Sequence, residues 1–220
     1  WVPSPSYIFK INKTSGVAVA NISASNPEAI AVDSQYVWVT DWGTEKLLKI
    51  KKDTNELIGS IDTGTNPFGV AVDEQFAWVS NFADDNVYKI NKTTGALIST
   101  IDVGDGPIGI AVDRNFVWVA NGNSDNVTQI DKYSNVVLDT IGIGDAPYGL
   151  VVDRDYVWVA NRFSDDVWVI DKLDNSIAAT IDVGSLPKSI SFDQYSSSVW
   201  AGNTFDDNIS QIDGDTGTVI

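Results

Sequence analysis

The sequence predicts an all-β protein, a β-propeller built from four-stranded blades. Three observations support this: prolines recur every 40 residues, aspartates recur at the same spacing, and tryptophans follow both. A period of about 40 to 45 residues with four short strands is the sequence form of a propeller blade. The repeated residues begin with the prolines, which are Pro27, Pro67, Pro107, Pro147 and Pro187.

One copy of the repeat, residues 107–141, gives the pattern of a unit. Short runs rich in β-branched and aromatic residues, bounded by Gly, Pro, Asn and Asp, predict four strands. Strand a covers 108–113, strand b 116–120, strand c 127–130 and strand d 136–141. No window shows a sustained 3.6-residue apolar period, so the pattern excludes helices.

The units follow one another without a break along the chain. They cover about 1–23, 24–63, 64–103, 104–143, 144–183 and 184–220, and the first lacks strand a. Trp200 arrives two residues late because the turn at 194–198 carries an insertion. We therefore expect a single domain over 1–220, cut from a longer parent protein with six or seven blades.

Strands a and b differ in the size of their side chains. Strand a is small, as in Gly109-Ile110-Ala111-Val112, which suits the innermost strand where blades converge. Strand b carries the recurring tryptophans, Trp38, Trp78, Trp118 and Trp158. Because a large ring fills the widening gap further from the axis, we expect these rings to pack between neighbouring blades.

The end of strand b carries a family resemblance. It reads Trp-Val-Ala-Asn at 118–121 and 158–161, Trp-Val-Ser-Asn at 78–81 and Trp-Val-Thr-Asp at 38–41. With the Pro-x-Gly-Ile-Ala-Val-Asp segment before it, this resembles the Tyr-Val-Thr-Asn signature of the YVTN β-propeller repeats, although Trp replaces Tyr and Ala or Ser usually replaces Thr.

The resemblance spans essentially all 220 residues. It implies a propeller of the kind found in archaeal and bacterial surface-layer and other secreted proteins, and it looks similar also to NHL repeats and streptogramin lyase propellers. Localisation outside the cell or at its surface is therefore the expectation. A shared fold transfers no activity by itself.

The charge balance limits the partners. Acids outnumber bases 30 to 14, for a net charge of −16 and a pI near 4.1. Nucleic acid, which is bound through basic patches, is therefore not an expected partner. No apolar run is long enough to cross a membrane, so we expect no membrane insertion.

Catalytic side chains are scarce. The chain has no His and no Cys, which removes the Ser-His-Asp triad, the cysteine nucleophile and imidazole metal ligands. Gly104 to Gly109 fits G-x-G-x-x-G but precedes a strand, so it is the d-a turn. An enzyme remains the alternative: a lyase-type or carboxylate glycoside-hydrolase propeller whose catalytic blade is missing or degenerate.

We expect no cofactor, with calcium as the alternative. The loop at 121–126 and the turn at 213–217 are rich in oxygen donors, but they lack the glycine and distal Glu of the EF-hand loop. No metal ligands are assigned on this basis.

Alternating strand direction places the b-c loops and the d-a connections on one face of each unit, hereafter the b-c/d-a face. Its loops set aromatic rings beside carboxylates, which can give a protein or glycan partner contact area and orientation. The alternative is that the rings fold back over the blades. The candidate binding residues are Asp41, Trp42, Phe82, Asp84, Asp85, Asp125, Arg162, Phe163, Asp165, Asp166, Phe205, Asp206 and Asp207.

The opposite side carries turn residues and glycosylation candidates. Segments such as 91–95 join strand c to strand d through Asx and Ser/Thr turns with a glycine at positive φ. The N-x-S/T sequons with no proline in the middle lie at Asn12, Asn21, Asn91, Asn126 and Asn208, and the turn positions Asn12 and Asn91 leave most room for a glycan.

The sequence thus favours a non-enzymatic, extracellular β-propeller that serves as a surface-layer, adhesive or assembly module. Self-assembly into a lattice or fibre is a further reading, since exposed outer strands can pair edge to edge. Lys92, Lys132 and Lys172, near those strands, are expected to oppose promiscuous pairing.

Overall fold

A computed structural model describes residues 1–220, which form 22 β-strands and no helix. Consequently the chain offers no helix of the length and hydropathy that a membrane span needs. The chain divides into two compact halves, each holding three sheets. They are hereafter unit 1 (Trp1–Asp102) and unit 2 (Val103–Ile220), and they are distinct from the 40-residue repeat units of the sequence.

Unit 1 contains eleven strands in chain order. They are β1 Val2–Ser4, β2 Tyr7–Ile11, β3 Ala18–Ser23, β4 Pro27–Val32, β5 Tyr36–Asp41, β6 Lys46–Lys51, β7 Leu57–Asp62, β8 Pro67–Val72, β9 Phe76–Asn81, β10 Asn86–Asn91 and β11 Leu97–Asp102.

Unit 2 contains the other eleven. They are β12 Pro107–Val112, β13 Phe116–Asn121, β14 Asn126–Asp131, β15 Val137–Gly142, β16 Pro147–Val152, β17 Tyr156–Asn161, β18 Asp166–Asp171, β19 Ile177–Asp182, β20 Pro187–Asp193, β21 Ser198–Asn203 and β22 Asn208–Asp213.

The strands form six antiparallel sheets in which each strand pairs with its neighbours in the chain. Four sheets have four strands, while β1–β3 and β20–β22 form sheets of three. The first sheet supplies strands b, c and d of its blade, as the sequence predicts. In the last, Val219 makes a single bridge to Ile212 where strand d is expected. The prediction of an all-β propeller of four-stranded blades is confirmed.

Strand a carries a bulge directly after its proline. In β8, two residues, Phe68 and Gly69, lie opposite Ser80 alone. Such a bulge re-aims the side chain that sits in it. The glycine is needed because inner strands approach closely: a Cβ on Gly109 would lie 2.3 Å from the carbonyl oxygen of Tyr148 in the next blade.

The recurring tryptophans pack between blades, as predicted. In unit 1, Trp38 of strand β5 is fully buried against Val70 and Val79 of the following sheet. In unit 2, Trp118 packs in the same way against Leu150 and Val159. Each ring thereby joins two sheets that share no backbone hydrogen bonds, so sheet-to-sheet cohesion within a unit depends on these side chains.

An aspartate in the a-b turn holds each of these rings. Asp33 Oδ1 accepts the backbone N–H groups of Gln35 and Tyr36, at 2.9 and 2.7 Å, and its Oδ2 accepts the indole N–H of Trp38 at 3.0 Å. The same three bonds recur at Asp73, Asp113 and Asp153.

A lysine from the next blade joins two of these carboxylates. Lys92 Nζ lies 2.9 Å from Asp33 Oδ2, and Lys172 Nζ lies 2.9 Å from Asp113 Oδ2. Burial raises the pKa of both carboxyls, but hydrogen bonds from the lysine, the backbone and, at Asp33, Trp38 outweigh it, so both pKa values lie below the usual range. Both carboxylates are therefore held in the charged form.

The outer strands present apolar side chains to solvent. Leu57, Ile58, Leu97, Ile98 and Leu138 are all exposed. The expectation that lysines oppose edge pairing there is wrong for Lys92 and Lys172, because their ammonium groups turn inward to the neighbouring blade's carboxylate. Lys132 likewise donates to the carbonyl oxygen of Asp113.

Candidate binding face

The end of strand b anchors the d-a connection on the b-c/d-a face. In unit 1, Asp41 Oδ1 and Oδ2 accept the backbone N–H groups of Asn26 and Ser25 at 2.8 and 3.0 Å. Asn81 Oδ1 accepts the N–H of Gly64 at 3.1 Å in the next blade. These side chains are fully or almost fully buried, so their function is to hold the connection in place.

Side chains of the b-c loop hold the same connection from outside. Asp84 Oδ2 accepts the N–H of Thr65 at 2.7 Å, and Asp206 Oδ2 accepts that of Ser185 at 2.7 Å. Ser124 Oγ does the same for Asp105 at 2.5 Å. These loop side chains therefore hold the d-a connection in place from its exposed side.

Two loop carboxylates in unit 2 reach the next blade. Asp125 Oδ1 accepts the N–H of Ala146 at 2.9 Å, and Asp165 Oδ1 accepts that of Leu186 at 2.8 Å. The two residues that donate these N–H groups, Ala146 and Leu186, both have a φ of +52°. Residues such as Ala and Leu rarely adopt this left-handed conformation. The carboxylates therefore stabilise a strained turn as well as joining blades.

The predicted binding residues differ in accessibility. Asp41 and Asp166 are only 2% and 8% exposed, and Asp166 accepts the side-chain N–H groups of Asn161 and Trp168. The half-buried members are Trp42, Phe82, Arg162 and Asp165. The exposed members are Asp84, Asp85, Asp125, Phe163, Phe205, Asp206 and Asp207.

Three aromatic rings form a cluster on the b-c/d-a face of unit 1. Trp42 lies 5.8 Å from Phe68 in an edge-on arrangement and 6.1 Å from Phe82, between ring centroids. Phe68 and Phe82 are 6.4 Å apart. The three half-buried rings contact one another, so they make a continuous apolar surface, hereafter the aromatic cluster.

Unit 2 presents basic and aromatic side chains on its own b-c/d-a face. The guanidinium carbon of Arg162 lies 4.9 Å from the ring centroid of Phe163, and Lys188 Nζ lies 5.5 Å from that of Tyr148. Both distances are in the range of a cation–π contact. Arg162 Nε is buried and makes no hydrogen bond. The face of unit 2 thus combines positive charge with aromatic rings, whereas the cluster of unit 1 consists of aromatic rings alone.

Sequence reasoning missed Phe68 and Tyr148, although a signal for them exists. Both follow the strand-a proline, and the residue at this position differs in chemistry from blade to blade, whereas the proline before it is always present and the residue after it is always small. The residues there are Glu28, Phe68, Ile108, Tyr148 and Lys188. The residue after the strand-b Asp or Asn varies equally, and is Trp42, Phe82, Gly122, Arg162 or Thr204.

The opposite side of each unit consists of bonded turns. Asn12 Oδ1 accepts the N–H groups of Thr14 and Ser15, and Asn91 Oδ1 accepts the equivalent pair. At Asp213, the N–H of Thr216 lowers the pKa of the carboxyl. Among the other sequons, Asn21 and Asn208 are exposed, and Asn126 is half-buried with its Nδ2 bonded to the carbonyl of Ser124.

No group of three or more His, Cys, Asp or Glu side chains is arranged to hold a metal ion. The aspartates that the sequence places in oxygen-rich loops bond backbone N–H groups instead, as Asp125 and Asp213 do.

Comparison with known proteins bears on the fold. No protein-family model matches the chain, and no curated protein matches it. A solved structure described as a streptogramin B lyase is similar, with a TM-score of 0.83 and 17% identity over 98% of this chain and 75% of that chain. A protein of unknown function from Desulfotomaculum acetoxidans has a TM-score of 0.82 and 16% identity over the same shares. At this identity the likeness shows the β-propeller fold alone.

Proposed function

We propose that this chain is a non-enzymatic binding module of an extracellular β-propeller, a surface-layer, adhesive or assembly protein of the YVTN type. It engages a protein or glycan partner through the b-c/d-a face. The proposal rests on one observation. The a-b turn Asp and the strand-b Trp recur in all five complete repeats, whereas the residue after the strand-a proline and the residue after the strand-b Asp or Asn differ in each. Variation of exposed loop positions over a repeated scaffold suits recognition, because a rigid scaffold can then display changing contacts.

The aromatic cluster is the proposed contact of unit 1. Trp42 and Phe82 supply a large apolar area that loses little side-chain entropy on binding, as rings at interfaces do. Most of the surrounding carboxylates that were candidate contacts already hold backbone N–H groups, as Asp84 does. The rings therefore supply most of the affinity, and the carboxylates set the electrostatic potential around them.

A lyase-type or carboxylate glycoside-hydrolase enzyme is the second candidate, favoured by the backbone likeness to the structure described as a streptogramin B lyase. Asp84, Asp125 and Asp206 each accept a backbone N–H group of the d-a connection, so these carboxylates already have a structural role. The chain also contains no histidine to act as a base. The binding role therefore has more support.

The test is a binding screen with matched variants. Wild-type protein is applied to arrays of glycans and of peptides, and each ligand that binds is retested with Trp42→Ala and Phe82→Ala. The control is Tyr133→Ala, which removes an exposed ring from a c-d turn on the opposite side. We expect both cluster variants to lose at least ten-fold in affinity, with the control unchanged. Mass spectrometry should recover the ligand unaltered; conversion to product would favour the enzyme.

A further inference from the structure

The a-b turn carboxylates of Asp33, Asp113 and Asp153 differ in the number of lysines that approach their side chains. At Asp33, Lys52 donates to the backbone carbonyl oxygen at 2.9 Å, and two further lysines lie on the side-chain side. Lys92 Nζ lies 2.9 Å from Asp33 Oδ2, and Lys49 Nζ lies 4.9 Å from the Trp38 ring that the carboxylate holds. Burial lowers the pKa of Lys49 and the charge of Asp33 raises it, so the two groups interact. Lys92 thus pairs directly with the Asp33 carboxylate, and Lys49 lies beside the ring that this carboxylate holds.

At Asp113 one of these two lysines remains. Lys172 Nζ lies 2.9 Å from Asp113 Oδ2, as Lys92 does from Asp33. The position of Lys49 is occupied by Gln129, which pairs with Trp118 across the strands. The Asp113 carboxylate therefore keeps one of these two lysines, while Lys132 donates to the backbone carbonyl oxygen of Asp113 at 3.1 Å.

At Asp153 both of these positions lack a lysine, and the ammonium group of Lys172 reaches the backbone carbonyl oxygen of Asp153, at 2.9 Å. Val169 stands opposite Trp158, and Gly214 stands where Lys172 stands one unit earlier. The inserted a-b turn explains the glycine, because a Cβ at 214 would lie 2.2 Å from the carbonyl oxygen of Ser197. The backbone at position 214 therefore leaves no room for a lysine side chain, although the Asp153 carboxylate that such a lysine would face is still present.

Asp153 nevertheless keeps the geometry of its counterparts. Its Oδ1 accepts the N–H groups of Asp155 and Tyr156 at 2.8 and 2.7 Å, and its Oδ2 accepts the indole N–H of Trp158 at 2.7 Å. At Asp113 the corresponding Oδ2 also receives an ammonium group. That second acceptor position on Asp153 has no cation.

A groove of about 720 Å³ leads to this carboxylate. Its walls include Tyr156 and Phe192, two rings able to contact an alkyl chain. Arg154 is the only cationic residue that lines it, and its side chain is 94% exposed with Nε 3.9 Å from Asp155. A cation from outside can therefore reach Asp153.

We propose that this groove binds a primary alkylammonium group, with its nitrogen at Asp153 Oδ2 where Lys172 Nζ lies at Asp113. The ligand replaces from outside the lysine that the repeat supplies elsewhere. Asp155, Asp193 and Asp215 line the groove together with Asp153 and the rings, and this acidic, partly aromatic lining suits an ammonium group. A metal ion needs several converging oxygen ligands, and these carboxylates are not arranged to hold one. The same chemistry occurs in a free amine and in the lysine side chain of a partner protein. The site is independent of the b-c/d-a face.

The indole N–H of Trp158 reports directly on the site, because it donates to Asp153. Its NMR resonance is assigned with Trp158→Phe and followed during titration with n-butylammonium, against sodium chloride at equal ionic strength. We expect a saturable shift with a millimolar Kd, as befits one charged contact, while the Trp118 resonance stays fixed. A lysine-containing peptide that binds several-fold more tightly than n-butylammonium would identify a protein as the source; equal or weaker binding would identify a free amine.

Two variants make the test decisive. Asp153→Asn should abolish the shift, and Lys172→Ala, which removes both the ammonium group and the alkyl chain, should create a second site at Asp113, so that the Trp118 resonance also moves. The gain at Trp118 remains informative even if Asp153→Asn fails to fold. The proposal is overturned if Trp158 does not respond, if its shift survives in Asp153→Asn, or if all indole resonances move equally in the wild type.

Discussion

Lys92 and Asp33, on the turns of adjacent blades, form an ion pair in which Nζ lies 2.9 Å from Oδ2. The same oxygen accepts the indole N–H of Trp38, a ring fully buried between those blades. One carboxylate thus holds its own turn, the ring that fills the gap between sheets and the cation of the next blade. Packing and electrostatics between these blades therefore depend on the same residue.

Replacing the lysine of such a pair should destabilise the protein. Lys172→Met leaves Asp113 largely buried without its cation, and we expect a loss of about 2 kcal/mol in the free energy of unfolding. The control is Lys51→Met, since Lys51 and Asp53 form an exposed pair 3.7 Å apart whose loss should cost less than about 0.5 kcal/mol. Urea unfolding measures both. Equal effects would show that the Lys172 pair contributes no more than a surface pair.

Stability should fall in acid because of Asp33 and Asp113. Their folded pKa values lie below the unfolded value, so their contribution is present above about pH 4 and is lost as the pH falls through the folded values. Urea unfolding at a series of pH values measures this. In the double variant Asp33→Asn/Asp113→Asn, the decrease below about pH 4 should be smaller. An unchanged acid slope in that variant would assign it to other carboxyls.

Truncating an inter-blade ring should be costly. Trp118→Ala removes a fully buried side chain, and we expect a loss of about 3 to 5 kcal/mol. Tyr195→Ala removes a ring that is 91% exposed, and should change stability by less than about 0.5 kcal/mol. Thermal and urea unfolding of both variants give the comparison. A small effect at Trp118 would contradict its role between sheets.

The loop carboxylates should prove structural. Asp84→Ala leaves the N–H of Thr65 without its acceptor, and we expect a loss of about 1 kcal/mol. Asp84→Asn keeps an oxygen at the same place and should cost less. Chemical unfolding of the pair measures the difference. If alanine and asparagine behave alike, the hydrogen bond does not contribute to stability.

The fold could be predicted from the sequence because its signals are local and repeated. The strand-a proline and the Asp before strand b recur every 40 residues, and the strand-b Trp does so too except for Trp200, which arrives two residues late. A strand that is poorly defined in one repeat can be placed from the same position in the other repeats. The strand bounds and the burial of Trp38 follow from this pattern.

The candidate face was harder to predict, because its contacts join residues far apart in the chain. Asp125 bonds the backbone of Ala146, and Lys92 pairs with Asp33 across 59 positions. Contacts between residues so far apart leave no local pattern in the sequence. The acids were therefore predicted to be exposed binding residues, and the lysines were predicted to oppose pairing of the outer strands. Phe68 was missed because its aim depends on a bulge, which the spacing does not reveal.

The central claim is that scaffold and recognition occupy separate positions in each unit. A proteolysis-based stability scan of every single substitution tests it most directly. We expect positions 28, 42, 68, 82, 148, 162 and 188 to accept most residues with little loss of stability. Positions 33, 38, 73, 78, 113, 118, 153 and 158 should accept few. Equal intolerance at both sets would show that the variable side chains belong to the core, and would contradict the claim.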